Sequence, residues 1–186
     1  GIDVGGTNTD AVALDGAGSV LDASATATSA AINNLSGVSG SVVRVGISGL
    51  ALSTTQDTNF AGTFDAPAPN AINFGGTATL TLTGQSDVRR AGIASGTLAM
   101  SGAGTLGSST DLQMSAGARP CSTSRTGGTY ALANLGGAGG TVKLGNNVLA
   151  IGNAVSGHDF GGAIQGSGGV HLSGGNWGLA AGQAYT

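Results

Sequence analysis

Apolar residues alternate with small or polar residues in short runs along the whole chain. A period of two is typical of a β-strand that turns one side inward. The apolar members of these runs are Val43, Val45 and Ile47; Leu50 and Leu52; Leu80 and Leu82; Val142 and Leu144; and Leu149 and Ile151. The alternation therefore predicts short strands, each burying one side, from one end of the chain to the other.

Glycine-rich breaks separate these strands about every 6 to 12 residues. Pairs such as Gly75-Gly76, Gly136-Gly137, Gly139-Gly140 and Gly174-Gly175 can supply the positive φ that a tight corner needs. Short strands joined by sharp corners predict an all-β parallel β-solenoid. With about 20 to 25 residues in a coil, the chain would make roughly 8 coils, and each would stack about 4.8 Å above the last.

Similar segments recur about 100 residues apart. The segment 34–37, Asn-Leu-Ser-Gly, recurs at 134–137 as Asn-Leu-Gly-Gly, and 59–62, Asn-Phe-Ala-Gly, recurs at 159–162 as Asp-Phe-Gly-Gly. A fixed offset between similar segments indicates a repeat architecture. The chain is therefore predicted to hold two diverged copies of one unit.

The two copies define the predicted organisation of the chain. The first runs from about 5 to 86 and the second from about 107 to 184, with a bridge at about 87–106, all within one β-solenoid over 1–186. A β-sandwich would bring more aromatic anchors and regular hairpin spacing. A disordered Gly/Ser-rich chain would not keep alternating aliphatic residues in both copies.

Composition points away from helices. The chain has 37 glycines among 186 residues, 8% charged residues, 4% aromatic residues and no glutamate. Such a chain predicts few helices and a narrow core of small aliphatic side chains. The alanine-rich stretch 22–35 could form a short helix, but its counterpart 122–135 contains Gly127-Gly128, which argues against one.

Charge argues against nucleic acid as a partner, and cysteine content rules out an internal disulfide. The net charge is -3 and the six basic residues are scattered, so nucleic acid is not an expected partner. Cys121 is the single cysteine, which rules out an internal disulfide and leaves its role open. The chain starts at Gly1 with no apolar leader, so a fragment of a longer protein is expected.

The segment 76–84, Gly-Thr-Ala-Thr-Leu-Thr-Leu-Thr-Gly, and the segment 96–100, Gly-Thr-Leu-Ala-Met, together resemble the passenger-associated repeat of bacterial autotransporters. The Gly-rich stretches 135–152 and 160–174 resemble neighbouring coils of those passengers. The resemblance implies a right-handed parallel β-helix displayed outside a Gram-negative cell, at the outer-membrane surface. It further implies adhesion, self-association or biofilm formation, with surface glycans or proteins as partners and membrane attachment through a barrel outside this chain.

A rival motif lies at the start of the chain. Residues 1–10, Gly-Ile-Asp-Val-Gly-Gly-Thr-Asn-Thr-Asp, resemble the first phosphate-binding hairpin of the hydantoinase and sugar-kinase superfamily. However, Gly6–Asp10 has a counterpart in Gly107–Asp111, where the same turn occurs without the kinase-like context. A recurring turn explains both segments, so a fragment of a phosphate-binding domain stays a remote alternative.

No residue is predicted to be catalytic, cofactor-binding or metal-binding, and no cofactor is expected. His158 and His171 fall in different coils without ligand spacing, and the aspartates are spread singly. No Gly-x-Ser-x-Gly elbow occurs. The row Thr79, Thr81 and Thr83 is expected to be an outward hydroxyl row rather than an ice-binding surface. Adhesion is therefore the predicted function, with a carbohydrate-active or carbohydrate-binding β-helix, or a plain spacer, as alternatives.

Overall fold

The computed structural model describes residues 9–26, 28–118, 121–123, 128–152, 158–179 and 184–185. In these residues every regular element is a β-strand. The strands are β1 (Thr9–Leu14), β2 (Val20–Ala23), β3 (Ala30–Gly37), β4 (Val42–Val45), β5 (Leu50–Thr54), β6 (Thr58–Phe60), β7 (Thr63–Gly76), β8 (Thr79–Leu82), β9 (Asp87–Ile93), β10 (Thr97–Met100), β11 (Asp111–Met114), β12 (Cys121–Thr123), β13 (Thr129–Leu132), β14 (Asn134–Gly136), β15 (Thr141–Gly145), β16 (Val148–Ile151), β17 (Ala163–Gly166), β18 (Val170–Leu172) and β19 (Ala184–Tyr185).

Each described strand pairs in parallel with a strand one turn away along the chain. The shortest step joins Thr79 to Thr97, and one of the longest joins Thr9 to Ile32. Parallel pairing at such short separations, with no helix between the strands, is the arrangement of a solenoid. The prediction of an all-β parallel β-helix is confirmed, with about seven turns against the roughly eight expected.

Three stacks of strands run the length of the solenoid. Stack 1 contains β5, the second half of β7, and then β9, β11 and β14. Stack 2 contains β6, β8, β10, β12, β15, β17 and β19. Stack 3 contains β2, β4 and the first half of β7, and later β13, β16 and β18. Strands β1 and β3 are long enough to pass from stack 1 into stack 2.

Inward side chains from all three stacks form one continuous apolar column. In stack 1, Leu50 lies beside Ile72 and Ile72 beside Ala91, and all three are buried. Because each inward residue packs on its counterpart in the next turn, the column removes apolar surface from water without a thick core. The predicted inward residues Leu52, Leu80, Leu82, Val142, Leu144, Leu149 and Ile151 are likewise buried.

The core also contains the aromatic residues, which corrects the expectation of purely small aliphatic side chains. All four phenylalanines are buried, as is Tyr130. The ring centroid of Phe64 lies 4.8 Å from that of Phe60 and 6.2 Å from that of Phe74. These three rings come from the three stacks, so contacts between aromatic rings join the stacks inside the core.

One detail of the predicted elements is wrong. Ile47 was expected to point inward, but β4 ends at Val45 and the Ile47 side chain is 76% exposed in the corner that follows. The stretch 22–35, where the counterpart segment argued against a helix, contains strands in its described residues, because β2 and β3 pair with β4 and β5. Alanine tolerates either structure, and the ladder on the neighbouring turn decides between them.

Two of the predicted glycine corners show why glycine is needed. Gly76 and Gly137 have φ of 112° and 116°, in the region that side-chain-bearing residues avoid. A Cβ at Gly76 would overlap the Thr54 carbonyl oxygen, and a Cβ at Gly137 would overlap that of Met114. The backbone of each corner therefore rests directly on the turn beneath it.

The two segments that recur about 100 residues apart share one packing motif. Gly37 pairs with Phe60 across one turn, and Gly137 pairs with Phe160 in the same way. The Ala61 N–H donates to the Gly37 carbonyl at 2.8 Å, and the Gly161 N–H donates to that of Gly137 at 2.8 Å. However, Phe60 lies in stack 2, whereas Phe160 continues stack 1. The motif thus recurs at a different corner, and the two-copy organisation stays a prediction.

Candidate binding groove

The motifs singled out in the sequence are only partly described by the structure. The kinase-like residues 1–8 lie outside the described residues, and only Thr9 and Asp10 enter β1. Cys121 begins β12, but its side chain is not among those described. His171 is exposed on β18. None of these positions forms a site in the described part of the chain.

The clearest irregularity in the solenoid is the corner between β7 and β9. Ala66 pairs with Val88 and Ala71 pairs with Arg90, so four residues of β7 lie opposite the single residue Arg89. The extra residues, 67–70, form an arch whose first three residues are exposed. Because the arch lengthens one turn only, it leaves Arg89 and Arg90 side by side at the corner, both exposed.

Three adjoining depressions run from this corner along the outer surface of stack 1. The first, about 360 Å³, lies under the arch, and the second, about 340 Å³, shares Arg90 and Asp111 with it. The third, about 380 Å³, shares Asn73, Gly92 and Gln113 with the second. Together they form one open channel along β9 and β11, which we call the Arg90 groove.

Glycines keep the floor of the Arg90 groove low. A Cβ at Gly92 would lie 2.6 Å from the Asn73 Oδ1, and a Cβ at Gly136 would lie 2.9 Å from the Gln113 Oε1. Any larger residue would therefore push the neighbouring amide side chains away. The amides of Asn73 and Gln113 lie across bare backbone as a result, with the Gly92 and Gly136 positions free of side chains.

Asp111 is held by two side chains at the centre of the groove. The Gln113 Nε2 donates to the Asp111 Oδ1 at 2.8 Å, and the His158 Nε2 lies 3.3 Å from the Asp111 Oδ2. The side chains of His158 and Asp111 are 30% and 24% exposed. Among the described residues the His158 Nδ1 is buried and has no hydrogen-bond partner, so the tautomer with its hydrogen on Nε2, toward Asp111, leaves no donor unsatisfied. The imidazole orients Asp111 and also lines the second depression.

The arginines of the groove differ from the arginine of stack 3. Arg44 lies 3.5 Å from the Asp22 carboxylate and 4.0 Å from that of Asp65. A hydrogen bond from Ser24, with a smaller effect of Arg44, holds the pKa of Asp22 below its usual value of 3.8. By contrast, Arg89 and Arg90 form no ion pair within 4.0 Å among the described residues. Their guanidinium groups are therefore free to bind an external anion.

Sequence reasoning missed this groove. Asp111 and His158 are 47 residues apart, about two turns, and no fixed sequence spacing brings them together. The usable signal was the coil period: Asp111 pairs with Asn134, and one more turn reaches the region of His158. The neighbouring Arg89 and Arg90 were counted only as scattered bases, because the arch that shares a depression with them is invisible in the alternation pattern.

Two other kinds of feature are absent from the described residues. Those residues include no group of three or more His, Cys, Asp or Glu side chains that could hold a metal ion. Within the same part of the chain there is no long apolar helix of the kind that spans a bilayer.

Comparison with known proteins adds no relative. No family model, no curated protein and no solved structure matches this chain. Its function therefore has to be inferred from the geometry of the solenoid and its groove.

Proposed function

We propose that this chain is a structural and adhesive segment of a bacterial surface protein of the autotransporter-passenger type. The parallel β-helix is consistent with such a passenger, and the Thr-Leu-Thr-Leu strand that carries the family resemblance is β8. The segment would form part of a rod outside the cell, and its outer surfaces would make the adhesive contacts.

The outer surface of stack 2 is the observation that carries this proposal. Thr79 lies beside Thr97, and Thr81 lies beside Ala99, each pair one turn apart. These four side chains are partly exposed and uncharged, and they alternate with the buried Leu80 and Leu82. On these two strands, a surface of small hydroxyl and methyl groups lets a second such surface approach closely, because none of the four side chains carries a charge.

Self-association of the purified chain tests the proposal. We expect concentration-dependent assembly in sedimentation velocity, and clustering of beads coated with the chain. A Thr81→Lys, Ala99→Lys double variant places two like charges on stack 2 and should abolish both. The matched control is Ala150→Lys, which carries a charge on the partly exposed side of stack 3 and should leave both unchanged. A chain that stays monomeric at high concentration and does not cluster beads would contradict adhesion through self-association.

A second candidate, carbohydrate binding, is favoured by the Arg90 groove. The groove is elongated and is lined by amides, a carboxylate and an arginine. Among the residues lining its first two depressions, Asp111 is the single acid. Glycoside hydrolysis ordinarily uses two carboxyl groups that flank the bond, so the groove favours binding over cleavage.

A further inference from the structure

We propose that the Arg90 groove binds an extended glycan that carries carboxylate groups, with Arg90 as the anchor for one carboxylate. This inference rests on the proposed adhesive function and names the class of ligand that the groove would hold. It uses a different surface from the self-association through stack 2, so each can fail alone.

Charge identifies the ligand as an anion. Arg90 lines both of the first two depressions and has no carboxylate within ion-pairing distance in the described structure. A guanidinium presents a planar fork of donors that matches a carboxylate in a bidentate contact. Arg89 adds a second positive charge to the first depression. On the far side of the arch Arg89 also lines a depression with Asp65 and Asp87, so Arg90 is the less compensated of the two.

Asp111 does not reverse this preference. Both of its oxygens already accept contacts, one from Gln113 and one from His158. Two arginines against one carboxylate leave the first depression with a net positive charge. The remaining lone pairs of Asp111 can accept hydrogen bonds from sugar hydroxyls, which are good donors to a held carboxylate.

The backbone of the groove argues for a glycan over a peptide. Strand β9 is paired on one side with β7 and on the other with β11, and β11 is paired with β9 and β14. No strand edge is free there, so a peptide cannot add to the sheet through main-chain hydrogen bonds.

The shape of the groove fits an elongated, hydroxyl-rich chain. Its three depressions follow one another along β9 and β11, and Gly92 leaves room for the Asn73 amide to lie across the backbone. The exposed Asn73 and the half-buried Gln113 present amide groups along the same path. Ala68, Pro69 and Ala133 line the first depression with apolar atoms, against which the faces of sugar rings can pack.

Calorimetric titration with a short oligogalacturonate and with its methyl ester tests this inference, alongside a panel of uronate and sialylated oligosaccharides. At least one acidic glycan should bind, and its neutral ester should bind at least about tenfold more weakly, a difference of about 1.4 kcal/mol. Arg90→Ala should cost the acidic glycan the same factor or more. Arg90→Lys, which keeps the charge but loses the fork, should fall between. Arg44→Ala, on stack 3, should bind as the unchanged protein does.

The binding results can be compared only if the variants are folded. Unchanged denaturation midpoints for Arg90→Ala and Arg44→Ala establish that the variants are folded. Equal binding of acid and ester, unaltered binding by Arg90→Ala, or no binding across the panel would each overturn the inference. A poly-aspartate peptide that binds more tightly than the glycans would overturn it in favour of a protein ligand. Loss of self-association in the stack 2 variant with intact glycan binding would locate the adhesive contact on stack 2 and leave the groove standing as a separate site.

Discussion

Two neighbouring parts of the solenoid pair their strands in opposite ways. In the ladder formed by β8 and β10, Thr79 to Leu82 match Thr97 to Met100 residue by residue. In the corner between β7 and β9, four residues of β7 lie opposite one residue of β9, and the pairing register shifts. The ladder exposes small uncharged groups, whereas the corner exposes two adjacent arginines and opens a groove.

The regular ladder contributes mainly to stability, whereas the irregular corner exposes the charged groups. A ladder in register satisfies every backbone group and buries an apolar residue at every second position, so it can hardly vary without loss. An arch adds residues to one turn only, and the turns above and below keep their own pairing. The groove begins at the arch, where the register shifts, and continues over the in-register ladder of β9 and β11.

Truncating a buried side chain of the ladder should have the largest effect on the unfolding free energy. Leu80 is buried and packs against Leu98 one turn away. Leu80→Ala should lower the free energy of unfolding by about 3 kcal/mol, since it removes buried methyl groups and leaves a cavity. Urea denaturation measures the loss. Thr81→Ala, on the outer side of the same strand, should change stability by less than about 0.5 kcal/mol; equal losses in the two variants would mean that the ladder has no inward side.

Adding a side chain at a glycine that packs closely against the next turn should have the next largest effect on the unfolding free energy. A Cβ at Gly104 would overlap the carbonyl oxygen of Leu82, the last residue of β8. Gly104→Ala should therefore cost about 1 to 3 kcal/mol of unfolding free energy. A Cβ at Gly169 would have no atom within 4 Å, so Gly169→Ala serves as the control. A wild-type denaturation midpoint for Gly104→Ala would show that the turns are less closely stacked than described.

A smaller effect is expected in the groove. Asp111→Ala removes the acceptor of both Gln113 and His158. Because the carboxylate is partly exposed and solvent screens the contact, we expect a loss of about 1 kcal/mol. Asp87→Ala, on the neighbouring strand β9, removes an exposed carboxylate and should be nearly neutral. If the two variants lose the same stability, the hydrogen bonds of Asp111 contribute nothing, and the groove is less ordered than the ladder.

The smallest effect is the pH dependence of stability that comes from Asp22, an exposed residue of stack 3. Ser24 and Arg44 lower the pKa of Asp22 in the folded chain. The ionised form is thus favoured by folding, and this contribution is full above the usual pKa of 3.8 and lost as the pH falls through the lower folded value. The stability advantage of the unchanged chain over Asp22→Asn should therefore shrink on acidification. In an NMR titration, Ser24→Ala should raise the pKa of Asp22 more than Arg44→Ala does; the reverse order would make the ion pair the main cause.

Most of the fold could be predicted because each turn obeys the same rule. An inward position needs an apolar residue, so Leu50 and Leu52, or Leu149 and Ile151, indicate a strand wherever they occur. The rule fails at strand ends. Ile47 continues the alternation of Val43 and Val45 but lies beyond the last paired residue, and no property of the residue itself distinguishes the two situations.

The candidate site could not be predicted in the same way. The step between paired residues is not constant, because Thr79 reaches Thr97 in a shorter turn than the one that joins Thr9 to Ile32. A small error in the length of one turn therefore changes which side chains meet two turns later. Asp111 and His158 are such a pair. Arg90 lies outward by the same alternation that buries Ala91 and Ile93. The depression beside it is lined by residues of the arch at 67–70, and an arch is recognised only once the residues on either side have been paired.

The short reach of every described pairing also determines how the molecule would respond to force. Even the longest steps, such as those from Thr9 to Ile32 and from Gly37 to Phe60, cross a single turn of the solenoid. Tension applied between the two ends would therefore detach the outermost turn first and leave the remaining turns intact. A rod of this design would lengthen in many small, nearly equal steps under tension, and its remaining turns would stay folded while each outer turn detached.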